Sequence, residues 1–169
     1  LFFALGLILT TLNCGFAPKS ECELTETDGK SILGIAVVPV DKSDEFFGEA
    51  DNDKNFRGCG YVAKYKADRG NVYWTETKSA DLQQAKRFYN LAIEKLPDAD
   101  DYSVEEITGI GEQAALSRFQ HADAKKMEIT VRRGRTVFSI LISKPSASEI
   151  PVEQVKSLAE RIAAKTTDY

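Results

Sequence analysis

The chain has 169 residues, of which 43% are hydrophobic and 28% charged, and this is the composition of an ordinary globular protein with one core. Its net charge of −4 at pH 7 argues against nucleic-acid binding through bulk electrostatics. The sequence has no internal repeat, low-complexity segment or domain linker, so we expect a single domain.

Residues 1–12 form an uncharged and mostly apolar run. The run is too short to cross a bilayer, which takes about 20 residues, but it matches the apolar region of a secretory signal. A buried core helix is the alternative. We expect an export signal that lacks its beginning, because neither an initiating Met nor a basic segment precedes the run.

The run leads into Thr-Leu-Asn-Cys, which resembles a bacterial lipobox ending at Cys14. A lipobox usually has Leu three residues before the cysteine and Gly or Ala directly before it, whereas this chain has Thr11 and Asn13 at those positions. We expect lipidation of Cys14, whose acyl chains would anchor the protein far better than one chain could. Unlipidated cleavage after Ala17 is the alternative, which Pro18 disfavours.

These signals divide the chain into three parts. Residues 1–14 are expected to be the signal segment and lipobox-like motif, residues 15–21 a tether, and residues 22–169 one globular domain. The sequence therefore predicts an exported protein of the bacterial cell envelope that is held to a membrane by its lipid.

Two further cysteines, Cys22 and Cys59, lie in the expected domain. An even pair in an oxidising compartment predicts one disulfide. Metal binding is the alternative, but two thiolates alone make a poor zinc site, and the single histidine, His121, has no second His or Cys near it. We expect neither a metal nor a cofactor.

The hydrophobic patterns predict an α+β fold with about six strands, mostly in hairpins, and with two substantial helices and a shorter one packed on the sheet. The strand from Val137 to Ile142 is apolar on both faces, so we expect it to be central and covered on both sides. Three residues mark the ends of the predicted helices. Gly34 ends the first helix, Ser79 caps the start of the second, and Pro151 opens the last. The expected segments, in chain order, are a helix to Leu33, a strand at 35–40, a loop at 41–58, a hairpin at 59–77, a helix at 80–96, a strand at 102–107, a hairpin at 126–143 and a closing helix.

The stretch Gly109-x-Gly111-x-x-Ala114 has the spacing of a dinucleotide-binding turn. Such a turn needs a buried parallel strand before it and a full helix after it. The preceding segment is too polar, and the following one, 112–119, is expected to form two helical turns at most. We therefore interpret the glycines as a strand-to-short-helix turn that needs positive φ or close packing.

Two groups of residues are candidate binding elements. The aromatic residues of the first hairpin could line a ligand groove, although core packing is the simpler explanation for them. The basic residues at the tip of the second hairpin, with Lys125 and Lys126 at its base, could bind anionic headgroups or an acidic partner, although such charges more often blunt a hairpin end and keep it soluble. The candidates are Tyr61, Tyr65, Tyr73, Trp74, Arg132, Arg133 and Arg135.

Catalytic and calcium sites have little support in the sequence. His121 could be a general base, but no recognisable nucleophile motif accompanies it. Asp51, Asp53 and Asn55 alternate as in a calcium loop, but Phe56 stands where an EF-hand requires Gly. We expect no enzyme, and a solvated loop at 51–58 with a weak irregular calcium site as the alternative.

Six features in this order resemble a family of small secreted bacterial lipoproteins of unknown function: the lipobox-like cysteine, "CELTETDGKSILG", "GCGYVAKY", "GIGEQA", "EITVRRGRTVFSILIS" and an amphipathic closing helix. Their fold is similar to that of the photosystem protein PsbP, an antiparallel sheet sandwiched by helices. The resemblance implies a Cys22–Cys59 bond and a structural role for "GIGEQA", and it brings no catalytic residues.

The sequence predicts a non-catalytic, membrane-tethered lipoprotein that binds an envelope or host protein, or the cell wall. The alternative is a small-ligand carrier or sensor that uses the aromatic hairpin and one face of the sheet.

Overall fold

The computed structural model describes residues 22–40, 55–94, 101–120 and 122–166. The expected signal segment, Cys14 and the tether lie outside the described residues, as do most of the 41–58 loop and His121.

Three helices in these ranges follow the local signals of the sequence. Helix α1, Glu26–Leu33, begins with a capping box between Thr25 and Asp28 and ends at Gly34, whose φ is 72°. Helix α2 is Leu82–Ile93 and helix α3 is Val152–Lys165. The prediction that Ser79 caps α2 is wrong. The cap is Asp81, whose carboxylate accepts a hydrogen bond from the backbone N–H of Gln84 at 2.8 Å. A carboxylate at this position also interacts favourably with the helix dipole.

Seven strands in the described ranges form one antiparallel sheet, so the prediction of an α+β fold with an antiparallel sheet is confirmed. The strands are β1 Val37–Pro39, β2 Phe56–Ala63, β3 Asn71–Lys78, β4 Tyr102–Ile107, β5 Gln113–Gln120, β6 Ala124–Arg133 and β7 Thr136–Pro145. Their order in the sheet is β1-β2-β3-β7-β6-β5-β4, and Pro39 lies in the edge strand β1, where a proline is tolerated.

The additional strand is β5, which the sequence analysis wrongly predicted as a short helix. Leu116 faces one helical layer and Ala115 the other, and both are fully buried. A strand in a sheet that is covered by helices on both sides buries both of its faces, whereas a surface helix buries only one stripe. The predicted loop at 41–58 was also too long, because β2 already begins at Phe56.

Helices cover both faces of the sheet. Helices α1 and α3 pack on one face over a large apolar cluster that includes Trp74, Phe138 and Ile140. Helix α2 packs on the other face over a small cluster of Ala85, Tyr89, Ala115 and Val137. We call these the α1–α3 face and the α2 face. Because the central strand β7 contributes to both clusters, the prediction that it is covered on both sides is confirmed.

Candidate functional site

The predicted disulfide is present between Cys22 and Cys59, with their Cα atoms 5.8 Å apart. Cys22 is the first described residue and Cys59 lies in the middle of β2, where it is paired with Trp74 of β3. The bond therefore joins the chain just before α1 to the middle of strand β2.

The glycine-rich turn connects β4 to β5 and is held by Arg132. Arg132 is 5% exposed, and its guanidinium donates to a Glu112 carboxylate oxygen at 2.6 Å and to the Gln113 amide oxygen at 2.7 Å. Gly111 has a φ of 60°, and a Cβ there would lie 2.6 Å from Val131 Cγ1. The turn thus needs glycine for both conformation and space, and the prediction that these glycines provide positive φ or close packing is confirmed. The prediction that a short helix follows the turn is wrong, because strand β5 follows it.

Glu112 also accepts a hydrogen bond from the Gly134 backbone N–H at 3.1 Å. Burial opposes ionisation of this carboxyl, but the Gly134 hydrogen bond and the Arg132 guanidinium outweigh burial and lower its pKa. Glu112 and Arg132 therefore lock the β4–β5 turn onto the β6–β7 hairpin.

The three candidate arginines point to different partners. Arg133 donates to the backbone carbonyl of Ala163 near the end of α3, where a cation also complements the helix dipole. Arg135 is exposed and lies 3.4 Å from the carbonyl of Ala80. The structure does not bring Arg132, Arg133 and Arg135 together into one anion-binding cluster.

The candidate aromatic residues are also separated. Trp74 is 1% exposed in the α1–α3 core, with the Arg57 guanidinium 5.5 Å from its ring centroid. Tyr61 lies on the same face, Tyr73 is buried on the opposite face, and Tyr65 is exposed beyond the end of β2 with Lys64 over its ring. Adjacent strand residues point to opposite faces, so the hairpin forms no single aromatic groove.

A half-buried carboxyl lies on the α2 face at Glu128. It is paired in register with Ser117 of β5 and Leu141 of β7, and Thr130 Oγ1 lies 3.0 Å from Ser139 Oγ beside it. Burial raises the pKa of Glu128, against hydrogen bonds from Ser139 and Thr130. Glu128 could not be predicted as a site residue, because the sequence of one strand does not show which residues pack over it.

A cavity of about 410 Å³ lies around the start of β4, the end of β5 and the start of β6. Ile150, which precedes α3, completes its wall. In the sheet register Tyr102 is opposite Phe119, and Phe119 is opposite Lys126. The rings of Tyr102 and Phe119 have centroids 4.5 Å apart, and they lie on the α2 face, whereas Met127 and Ile150 pack with the α1–α3 cluster.

The polar lining of this cavity is mainly basic. Arg118, Lys125 and Lys126 line it, against one acidic residue, Asp101. Arg118 is paired with Glu105 at 3.0 Å. No acidic group in the described part of the chain pairs with Lys125 or Lys126. The sequence indicated the two lysines but not the rest of this lining, because the segment that forms β5 was predicted as a helix.

A second groove, of about 450 Å³, lies between α1 and α3. Its charged groups are already matched, because Arg161 donates to Asp28 at 2.7 Å and Lys156 lies 3.3 Å from Glu153. This groove therefore presents less unbalanced charge than the basic cavity.

Within the described ranges, no group of three or more His, Cys, Asp or Glu side chains is arranged to hold a metal ion. Of the weak calcium motif, Asp51 and Asp53 lie outside the described residues. The helices of these ranges lack the length and apolarity that crossing a membrane requires.

No protein-family model and no curated protein matches the sequence. Among solved structures, the chain is similar to the extracellular domain of PknH from Mycobacterium tuberculosis, with a TM-score of 0.53 and 8% sequence identity over 85% of this chain and 93% of that one. At this identity the likeness shows a common α+β fold.

Proposed function

We propose that this protein is a non-catalytic envelope lipoprotein, tethered to a membrane through Cys14, whose domain acts by binding another molecule. The observation that carries the proposal is the Cys22–Cys59 disulfide, because structural disulfides form and persist in oxidising compartments outside the cytosol. The apolar run and lipobox-like cysteine upstream of it fit export.

The position of the disulfide supports a tethered domain. If the tether is residues 15–21, it spans about 25 Å at most and leads directly into Cys22. Glu23 is paired with Lys165 at 3.1 Å, so the chain enters the domain beside the end of α3. The proposed domain stays close to the membrane, and its partner is an envelope or host molecule that reaches this zone.

The test is the intact mass of the protein isolated from its native membranes, measured with and without reductant. We expect an N-terminus at Cys14 that carries acyl chains, and a gain of two hydrogens on reduction. A Cys14→Ser variant is the control and should lose the lipid while keeping the disulfide. An N-terminus at Pro18 without lipid would refute the tether.

Small-ligand binding is the second candidate function, and the basic cavity beside Phe119 favours it. The aromatic hairpin does not, since Tyr73 and Trp74 face opposite sides of the sheet. Measurement of ligands that copurify with the exported protein would separate a carrier from a protein-binding module.

A further inference from the structure

We infer that a cavity beside the glycine-rich turn binds a primary ammonium group, which donates hydrogen bonds to the Tyr89 hydroxyl and to the Glu106 carboxylate. The cavity has a volume of about 240 Å³ and is lined by Tyr89 of α2 and by residues 106–114. This volume is below the range of about 300–1,000 Å³ that is common for whole small-molecule ligands, so it suits a group of the size of one side chain. The site rests on the proposed binding role and gives that role a ligand class.

Tyr89 contributes a buried hydroxyl without a partner. The residue is 3% exposed, and no group in the described ranges forms a hydrogen bond with its hydroxyl. The unpartnered side-chain atoms that are fully shielded from solvent in these ranges are Trp74 Nε1 and Ser79 Oγ. The Tyr89 hydroxyl is not one of them, so it opens into the cavity that Tyr89 lines. A buried hydroxyl without a hydrogen bond is unfavourable, and a ligand that donates to its oxygen offsets this cost.

Glu106 projects to the same face of the sheet as Tyr89. In the β4–β5 register Glu106 is opposite Ala115, and Ala115 belongs to the apolar cluster of Tyr89. Residues that are opposite each other in an antiparallel pair share a face, so both acceptor groups border the cavity on the α2 face. Ile107 and Ala114 project to the α1–α3 face, and the ligand contacts assigned here do not include them.

The uncompensated charge beside the cavity is negative. Glu106 is exposed and forms no ion pair in the described part of the chain. Arg132, the nearby cation, is already paired with Glu112 at 2.6 Å. The pKa of the Tyr89 phenol is raised, first by burial and then by the Glu106 carboxylate, against the opposing effect of Arg132. The phenol is therefore neutral at pH 7, and a cation in the cavity meets one carboxylate that has no partner.

One carboxylate and one phenolic oxygen suit an ammonium group better than other cations. A calcium ion takes about 6–8 oxygen ligands, usually with several carboxylates among them. A guanidinium binds best to the two oxygens of one carboxylate in a planar fork. A primary ammonium is a compact charge with three N–H donors, and acceptors on two different side chains satisfy two of them. Such a group is supplied either by a free alkylamine or by a lysine side chain of a partner protein.

The probe is n-butylamine, which is protonated at pH 7, with n-butanol as its neutral analogue. In the 15N-labelled full-length protein, the backbone amides of Gly109 and Gly111 report on the cavity that they line. We expect butylammonium to shift both signals in a saturable way. Butanol should bind at least about threefold more weakly, because it lacks the charge that pairs with Glu106.

The decisive variants are Glu106→Gln and Tyr89→Phe, the second of which removes the hydroxyl and keeps the buried ring. The matched control is Glu105→Gln, which makes the same charge change one residue earlier, on the opposite face of β4. We expect the Kd of butylammonium to rise about three- to fivefold in each decisive variant and to stay within about 1.5-fold of the original value in the control. Fluorescence of Trp74 checks that all three variants keep the fold.

A second probe separates the two sources of the ammonium group. It is a glycine–lysine–glycine tripeptide with blocked ends. Tighter binding of the peptide than of butylammonium would support the site and assign its ligand to a partner protein. Tighter binding of butylammonium would support the site and assign its ligand to a free amine.

Measurements on the unmodified protein complete the test. Higher ionic strength should weaken butylammonium binding and leave butanol binding almost unchanged. The ammonium site is overturned if butanol binds as tightly as butylammonium, if calcium displaces butylammonium at equal concentration, or if Glu106→Gln behaves like Glu105→Gln. None of these results depends on the lipid at Cys14, so the tether and the ligand class can fail separately.

Discussion

The two faces of the sheet differ in the kind of side chain that covers them. On the α1–α3 face, Trp74, Phe138 and Ile140 belong to one continuous apolar cluster. The α2 face carries only a small apolar cluster around Tyr89, and it also carries the polar side chains of Ser117 and Glu128. Since apolar burial is the main favourable term in folding, we infer that the α1–α3 face supplies most of the stability and the α2 face less.

The largest expected effect tests this difference directly. Phe138→Ala removes a fully buried ring from the α1–α3 face and should lower the free energy of unfolding by about 3–5 kcal/mol. Tyr89→Ala removes a comparable ring, 3% exposed, from the smaller cluster and should cost less, below about 3 kcal/mol. Urea unfolding of both variants measures the two losses, and equal losses would contradict the inferred difference between the faces.

The disulfide should sharpen the comparison because it fastens α1 to one face alone. Replacing Cys22 and Cys59 by Ser removes a cross-link between positions 37 residues apart and should lower the free energy of unfolding by about 3–4 kcal/mol. Hydrogen exchange should increase more in α1 than in α2. Equal increases in the two helices would show that the bond stabilises the whole domain without preference for α1.

The Arg132–Glu112 pair gives a smaller effect with a predictable asymmetry. Glu112→Ala leaves the buried Arg132 charge with only neutral acceptors and should cost about 1–3 kcal/mol. Arg132→Met leaves Glu112, whose side chain is 48% exposed, free to return to water, so it should cost less. Thermal unfolding of both variants measures the order, and the reverse order would mean that Arg132 stabilises the turn mainly by packing.

The smallest effect belongs to Glu128 and depends on pH. Burial raises the pKa of this carboxyl in the folded state, so its contribution to stability is present below the unfolded pKa, about 4.5, and is lost as the pH rises through the folded pKa. Glu128→Gln should therefore stabilise the protein slightly at pH 7 and make no difference in acid. Stability curves against pH measure this, and a loss at pH 7 would show that ionised Glu128 is needed by its neighbours.

Local signals in the sequence were enough to predict much of the fold. Gly34 ends α1 with a φ of 72°, and Pro151 precedes α3. Cys22 and Cys59 could be paired because no other cysteine was expected in the domain. Each of these predictions depends on a residue whose chemistry restricts its own conformation or partner.

The missed features depend on residues distant in sequence. The small residues Ala114 and Ala115 fit a helix as well as a strand, and only pairing with β4 and β6 makes their segment a strand. Arg133 was a candidate for ligand binding, but its partner, Ala163, lies 30 residues further along the chain. The basic cavity could not be predicted either, because it exists only where three strand ends meet.

The disulfide also has a mechanical consequence. Tension applied to the chain upstream of Cys22 passes through the sulfur atoms into Cys59 and so into the hydrogen-bonded interior of β2. Helix α1 follows Cys22 and lies off this load path while the bond is intact. Pulling on the tether should therefore load the sheet before α1, whereas after reduction the same force should unravel α1 first, at a lower force.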